Sequence, residues 1–123
     1  AEITLASAEV PNFENDYKIF LTFARVIRKE GQIVEIKEYK DTTEIEKNIK
    51  EVNPGYYVFQ SDWLWPNLEK VRNNNAQGEY YLTDLLRIAK EQKLDIASVS
   101  IKPQEAMGAN SIEELEILNK QVI

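Results

Sequence analysis

The sequence predicts an α/β fold, a mixed sheet flanked by helices with a β-hairpin excursion. Three observations predict it. Short β-rich runs at 3–10, 24–28, 33–37, 56–59 and 94–101 alternate with segments of helical period. Gly31 sits between two of these runs as a tight turn, which makes them a hairpin. Thr43 with Glu46, and Ser111 with Glu114, are Ser/Thr-x-x-Glu capping boxes, in which side chains satisfy the free backbone N–H groups of a helix start.

Taken in order, the first strand puts Ile3, Leu5 and Ser7 on one face and Thr4, Ala6 and Ala8 on the other, and Pro11-Asn12 ends it. Asn15-Asp16 marks a further turn. The hairpin follows, with Arg25, Arg28 and Glu35 expected on a wet face. The Thr43 box opens a short helix over Ile45 and Ile49, and Asn53-Pro54-Gly55 is a turn in which Gly55 can supply a positive φ. Tyr56-Tyr57-Val58-Phe59 is strongly β-prone and is expected to be a central strand. The segment 61–71 is helical, with Leu64, Leu68 and Val71 on one face and Pro66 at a helix start or kink. Thr83-Asp84 caps a helix over 85–92. In the strand 94–101, Ala97, Val99 and Ile101 form the apolar face. The terminal helix aligns Ile112, Leu115, Leu118 and Val122.

With 123 residues, 43% of them hydrophobic, the chain is long enough for one core, and no boundary, repeat or linker divides it. Its formal net charge of −6 argues against nucleic acid as a partner. No apolar run approaches the length of a membrane span. The absence of cysteine removes disulfides and thiolate zinc sites and fits a cytoplasmic protein. The absence of histidine removes imidazole-based triads and the usual transition-metal sites. Carboxylates, amides, hydroxyls, lysines and an oxygen-bound cation such as Mg²⁺ remain.

Three places draw attention on chemical grounds. The run Asn73-Asn74-Asn75-Ala76-Gln77-Gly78-Glu79-Tyr80-Tyr81 concentrates amides, which both donate and accept, beside tyrosine hydroxyls, a set suited to a hydroxyl-rich ligand. A polar loop with Thr83 as a helix cap accounts for the same residues. Glu38, at the end of the second hairpin strand, is either a cleft carboxylate or one of a surface charge run. Asn53 and Asn110 lie in turns near Gly55 and Gly108, where asparagine also serves the backbone. None of the four glycines is paired at phosphate-loop spacing.

Read together, Ile36-Lys37-Glu38-Tyr39-Lys40-Asp41, Glu51-Val52-Asn53-Pro54-Gly55, the Asn-rich run through Leu82-Thr83-Asp84, and Ala106-Met107-Gly108-Ala109-Asn110 resemble one family. It is the N-acetylglucosamine-1-phosphate uridyltransferases, sugar nucleotidyltransferases also called UDP-N-acetylglucosamine pyrophosphorylases. The resemblance is to the C-terminal, sugar-binding half of their Rossmann-like nucleotidyltransferase domain, and it covers 1–123 as one partial domain. It implies that Glu38 and Asn53 bind the sugar, that Tyr81 and Thr83 line the same pocket, and that Asn110 is a ligand of Mg²⁺. Ala24 falls where a family glycine brings its backbone amide to the sugar, so a methyl now crowds that approach and a positive φ becomes costly. Ser111 replaces a second asparagine.

The resemblance implies N-acetylglucosamine-1-phosphate and UTP as substrates of a complete enzyme. The family's nucleotide loop, its lysine and its metal-binding aspartate are not in these 123 residues. We therefore expect a piece of a longer polypeptide, consistent with a start at Ala1 rather than Met, that needs a missing N-terminal half for turnover and self-associates to cover an open sheet edge. The alternative is a non-catalytic sugar-binding or assembly module of the same descent, with Tyr56, Tyr57, Trp63 and Trp65 as interface aromatics.

Overall fold

The structure, a computed structural model, describes residues 1–121. The main elements are β1 (Ile3–Glu9), β2 (Ala24–Lys29), β3 (Gln32–Lys37), β4 (Glu51–Asn53), β5 (Tyr57–Phe59), α1 (Ser61–Leu68), α2 (Asp84–Glu91), β6 (Ile96–Ser100) and α3 (Ile112–Asn119). The strands form one mixed sheet in the order β3-β2-β4-β1-β5, with β6 also on β1. The β1–β6 pair is parallel and the other pairs are antiparallel. The fold is α/β, as the sequence predicts.

β1 is the hub of the sheet. The Ala6 amide donates to the Tyr56 carbonyl, whereas the Ser7 carbonyl accepts from the Ile101 amide. Alternate residues thus serve β4 and β5 along one edge and β6 along the other. Ile3 and Leu5 point into the main core with Val26, Ile33 and Ile36 of the hairpin, Leu86 and Ala89 of α2, and Ile96. A second cluster gathers Ala8, Val10, Ile19, Phe20, Val52 and Ala106 at the other end of the sheet. The hairpin turns on Glu30 and Gly31, both with positive φ, as a two-residue turn matched to strand twist requires.

Several expectations need correction. Arg25 is not on a wet face; it is fully buried. The Thr43 box does form, its Oγ accepting from the Glu46 amide while Glu46 accepts from the Thr43 amide. It opens only a 3-10 turn at Glu46–Asn48, because β4 begins at Glu51, and Ile45 is left 84% exposed. Asn15-Asp16, read as a turn, opens a 3-10 segment, Asn15–Phe20, that buries Ile19 and Phe20. β5 pairs with β1 alone among the described residues and is short, so it is not a central strand. β4, which precedes it in the chain and lies between β1 and β2 in the sheet, was not foreseen as a strand.

Pro66 lies inside α1 rather than at its start. In β6 the buried residue is Ile96, while Val99 is exposed, the reverse of the expected face. In α3 Ile117 is buried, and Ile112 and Leu115 face outward. Val122, assigned to the same stripe, lies outside the described residues. In both elements residues assigned to the core-facing stripe, Val99 in β6 and Ile112 and Leu115 in α3, are exposed, and the buried residues Ile96 and Ile117 lie outside it. Among the described residues no helix is long and apolar enough to cross a membrane.

Candidate functional site

The ends of β2, β3 and β4 and the approach to α2 converge on one cleft of about 370 Å³. Thr22, Phe23 and Ala24 form one wall, Asn53-Pro54-Gly55 and Tyr57 another, and Glu38 with Leu82-Thr83 the rest. Four residues singled out in the sequence, Ala24, Glu38, Asn53 and Thr83, therefore meet here from four separate chain segments. Tyr81 lines a neighbouring cleft of about 390 Å³ that shares Glu38 and Thr83 with the first. Asn110 lines neither cleft; it is exposed, and its backbone amide donates to Glu114.

Each wall has a local cause. The Phe23-Ala24 wall is backed by the buried Arg25 guanidinium, which donates to the carbonyls of Phe23 at 2.5 Å, Leu21 at 2.9 Å and Lys47 at 3.2 Å. Its Cζ lies 4.4 Å from the centroid of the Phe13 ring. Arg25 thus ties β2 to the loop before it and to the 3-10 turn after Thr43. The Asn53 wall is held by its own side chain. Asn53 Oδ1 accepts from the Gly55 amide at 2.5 Å, closing the turn in which Gly55 has φ +93°, and Nδ2 donates to the Tyr57 hydroxyl at 2.6 Å.

Thr83 was expected to cap α2. It takes helical backbone angles and makes no side-chain cap bond. Its hydroxyl instead donates to Glu38 Oε1, at 3.4 Å. Burial pushes the Glu38 carboxyl above its ordinary value; the Thr83 hydroxyl opposes this, and the nearby charges of Asp41, Asp84 and Glu79 add to it. Asp84 is raised as well, mainly by burial. The Tyr81 hydroxyl is pushed up to about 12 by desolvation and by the charges of Asp41, Glu38 and Glu79.

The amide-rich run turns out to spend much of its chemistry on its own shape. Asn75 Oδ1 accepts from the Gln77 and Glu79 amides, each at 3.1 Å, and Nδ2 donates to the Glu79 carbonyl at 2.5 Å. The Tyr81 hydroxyl donates to Gln77, and Asp41 accepts from the Ala76 amide, docking the run onto the end of the hairpin. Sequence reasoning missed Tyr57, placed in a core strand or an interface. The available signal was its alternation with Val58, which sends Tyr57 and Phe59 to one side of β5.

No protein-family profile matches the chain. Individual proteins do. Over 94 residues the chain is 43% identical to the bifunctional protein GlmU of Clostridium novyi, an alignment covering 76% of this chain and 21% of that protein. This chain is a relative of GlmU. It is also 45% identical over 94 residues to the GlmU of Clostridium kluyveri, covering 76% of this chain and 21% of the relative. With the GlmU of Fervidobacterium nodosum it shares 44% identity over 101 residues, 82% of this chain and 22% of the relative. The chain spans about a fifth of the length of the GlmU proteins it matches.

Proposed function

We propose that this chain is the sugar-phosphate-binding part of a nucleotidyltransferase that forms UDP-N-acetylglucosamine. In that reaction an oxygen of N-acetylglucosamine-1-phosphate attacks the α-phosphorus of UTP, the bond to the bridging oxygen breaks, and pyrophosphate leaves. The support is the convergence of Ala24, Glu38, Asn53 and Thr83 on one cleft in a chain related to GlmU. A half-buried carboxylate with buried amide and hydroxyl side chains and backbone groups on a concave wall suits a polyhydroxylated ligand, and the Tyr57 ring offers it an apolar face.

The chain's task in this reaction is positioning, which lowers the barrier by fixing the attacking phosphate relative to the nucleotide. UTP binding falls to sequence other than these 123 residues, so the isolated chain is not competent for turnover; a cytoplasmic location accompanies the reading. Mg²⁺ would supply charge stabilisation at the phosphates. Asn110 fits as one ligand: its side chain is exposed and makes no hydrogen bond among the described residues. A single neutral oxygen does not hold the ion, and among the described residues no cluster of acidic side chains is arranged to do so.

The test is titration calorimetry of the chain with N-acetylglucosamine-1-phosphate and Mg²⁺. Glu38→Gln should weaken binding about tenfold, the loss of a charge-assisted hydrogen bond. Unchanged affinity overturns the assignment of Glu38.

A second reading, an assembly module of the same descent, is favoured by one observation. Tyr56, Val58 and Val99 are exposed together on the outer side of the sheet, around an apolar groove of about 210 Å³ with Thr4 and Ala6. A stable dimer in light scattering, with no sugar-phosphate binding, would favour it over the first.

A further inference from the structure

We infer that Tyr57 is a ligand-contacting residue of the cleft, a hydrogen-bond donor held in place by Asn53 that takes an acceptor oxygen of the bound sugar. The inference rests on the sugar-phosphate reading above and goes beyond the residues that the resemblance to uridyltransferases assigns.

The direction of each hydrogen follows from the bonds. The Gly55 amide can only donate, so the Asn53 atom facing it at 2.5 Å is the carbonyl oxygen. That fixes the amide orientation and turns Nδ2, a donor, toward the Tyr57 oxygen at 2.6 Å. A phenol that accepts on one side keeps its own proton to give on another. Among the described residues that proton meets no acceptor, although Tyr57 lines the cleft.

The ring itself is fixed, stacked on Phe59 with centroids 5.5 Å apart and planes 27° from parallel. The hydroxyl position is therefore set by packing and only its proton rotates. Burial pushes the Tyr57 hydroxyl well above its ordinary value, with the Glu38 charge adding to the effect, so it is a neutral donor throughout the working pH range. With Glu38 on the facing wall as an acceptor when ionised, the cleft presents a donor and an acceptor to one ligand. A sugar hydroxyl or a secondary amide complements such a pair.

The same geometry changes what Asn53 does. Its carbonyl oxygen is spent on Gly55 and one amide hydrogen on Tyr57, which leaves one hydrogen for a ligand. Asn53 is thus in part a positioning residue, acting through Tyr57.

Tyr57→Phe keeps the ring and removes only the hydroxyl. Calorimetry with N-acetylglucosamine-1-phosphate should show a dissociation constant about five- to tenfold weaker than for the unaltered chain. In ¹⁵N spectra the Asn53 side-chain NH₂ resonances should move, because their acceptor is gone, while the Gly55 amide and the rest of the backbone pattern stay. An unaltered chain that binds, with Tyr57→Phe binding equally well, overturns the inference and leaves the functional reading intact. A lower melting temperature with unchanged affinity makes Tyr57 purely structural and overturns it too. An unaltered chain that does not bind the sugar phosphate overturns the functional reading, and this inference with it.

Discussion

The Thr83 hydroxyl reaches Glu38 Oε1 across 3.4 Å, although Thr83 stands at the start of α2 where threonine commonly caps. This contact joins the approach of α2 to the end of β3 and stands between two clefts, both of which it lines. A hydroxyl that caps no helix is available to hold a carboxylate in position. The helix loses a cap that Asp84, in its first turn, replaces in part by its charge.

Glu38 should make the fold less stable as it ionises. Its folded value is raised by burial, so the folded chain holds the proton more tightly than the unfolded one, whose value is near 4.5. The penalty is absent below that value and complete above the folded one. Glu38→Gln is therefore expected to raise the melting temperature at pH 7, with the difference from the unaltered chain vanishing near pH 4. A gain that does not depend on pH would contradict this.

Glu51 should behave in the opposite sense. Burial pushes its carboxyl up, but the Arg28 and Ser7 hydrogen bonds outweigh that and hold it below the ordinary value. Arg28 grips it with two bonds, Nε to Oε1 at 2.7 Å and Nη2 to Oε2 at 2.8 Å, while Ser7 donates at 2.8 Å. The group links β2, β4 and β1. Its stability contribution is present above the unfolded value and lost as pH falls through the folded one. Glu51→Gln is expected to cost about 1–2 kcal/mol at pH 7 in urea denaturation, with the difference from the unaltered chain shrinking as pH falls below the ordinary carboxylate value.

Arg25 is expected to be costly to remove. Arg25→Met leaves the part-buried carbonyls of Phe23, Leu21 and Lys47 without this donor, an expected loss of about 3 kcal/mol. Arg25→Lys keeps the charge but lacks the planar fork, and should fall between the two. Urea denaturation of the three chains checks the order; equal midpoints for Met and the unaltered chain would show that the carbonyls find other donors.

The hairpin was legible because Gly31 and alternating apolar residues specify both turn and register locally, and β1 because Ile3 and Leu5 share the face that the core covers. Arg25 was misplaced because charge predicts exposure unless carbonyls converge on it, and those of Leu21, Phe23 and Lys47 are brought together only by the tertiary fold. Val99 and Ile112 show the same limit: each was assigned to an apolar, core-facing stripe, and the neighbouring elements leave both exposed. For the cleft, Glu38 and Asn53 drew attention on chemical grounds, but a charged surface and a turn explained them better until the resemblance joined them to Thr83 and Ala24. Tyr57 was hidden because its partner Asn53, four positions earlier, looked fully explained by the Gly55 turn.

The central claim is that the cleft bounded by Ala24, Glu38, Asn53 and Thr83 receives a sugar phosphate. It is tested most directly by titrating ¹⁵N-labelled chain with N-acetylglucosamine-1-phosphate and Mg²⁺ and mapping which backbone amides respond. The account predicts saturable shifts concentrated on Ala24, Glu38, Gly55, Tyr57 and Thr83. Absence of shifts at millimolar ligand, or shifts confined to the outer sheet face around Val58 and Val99, would contradict it.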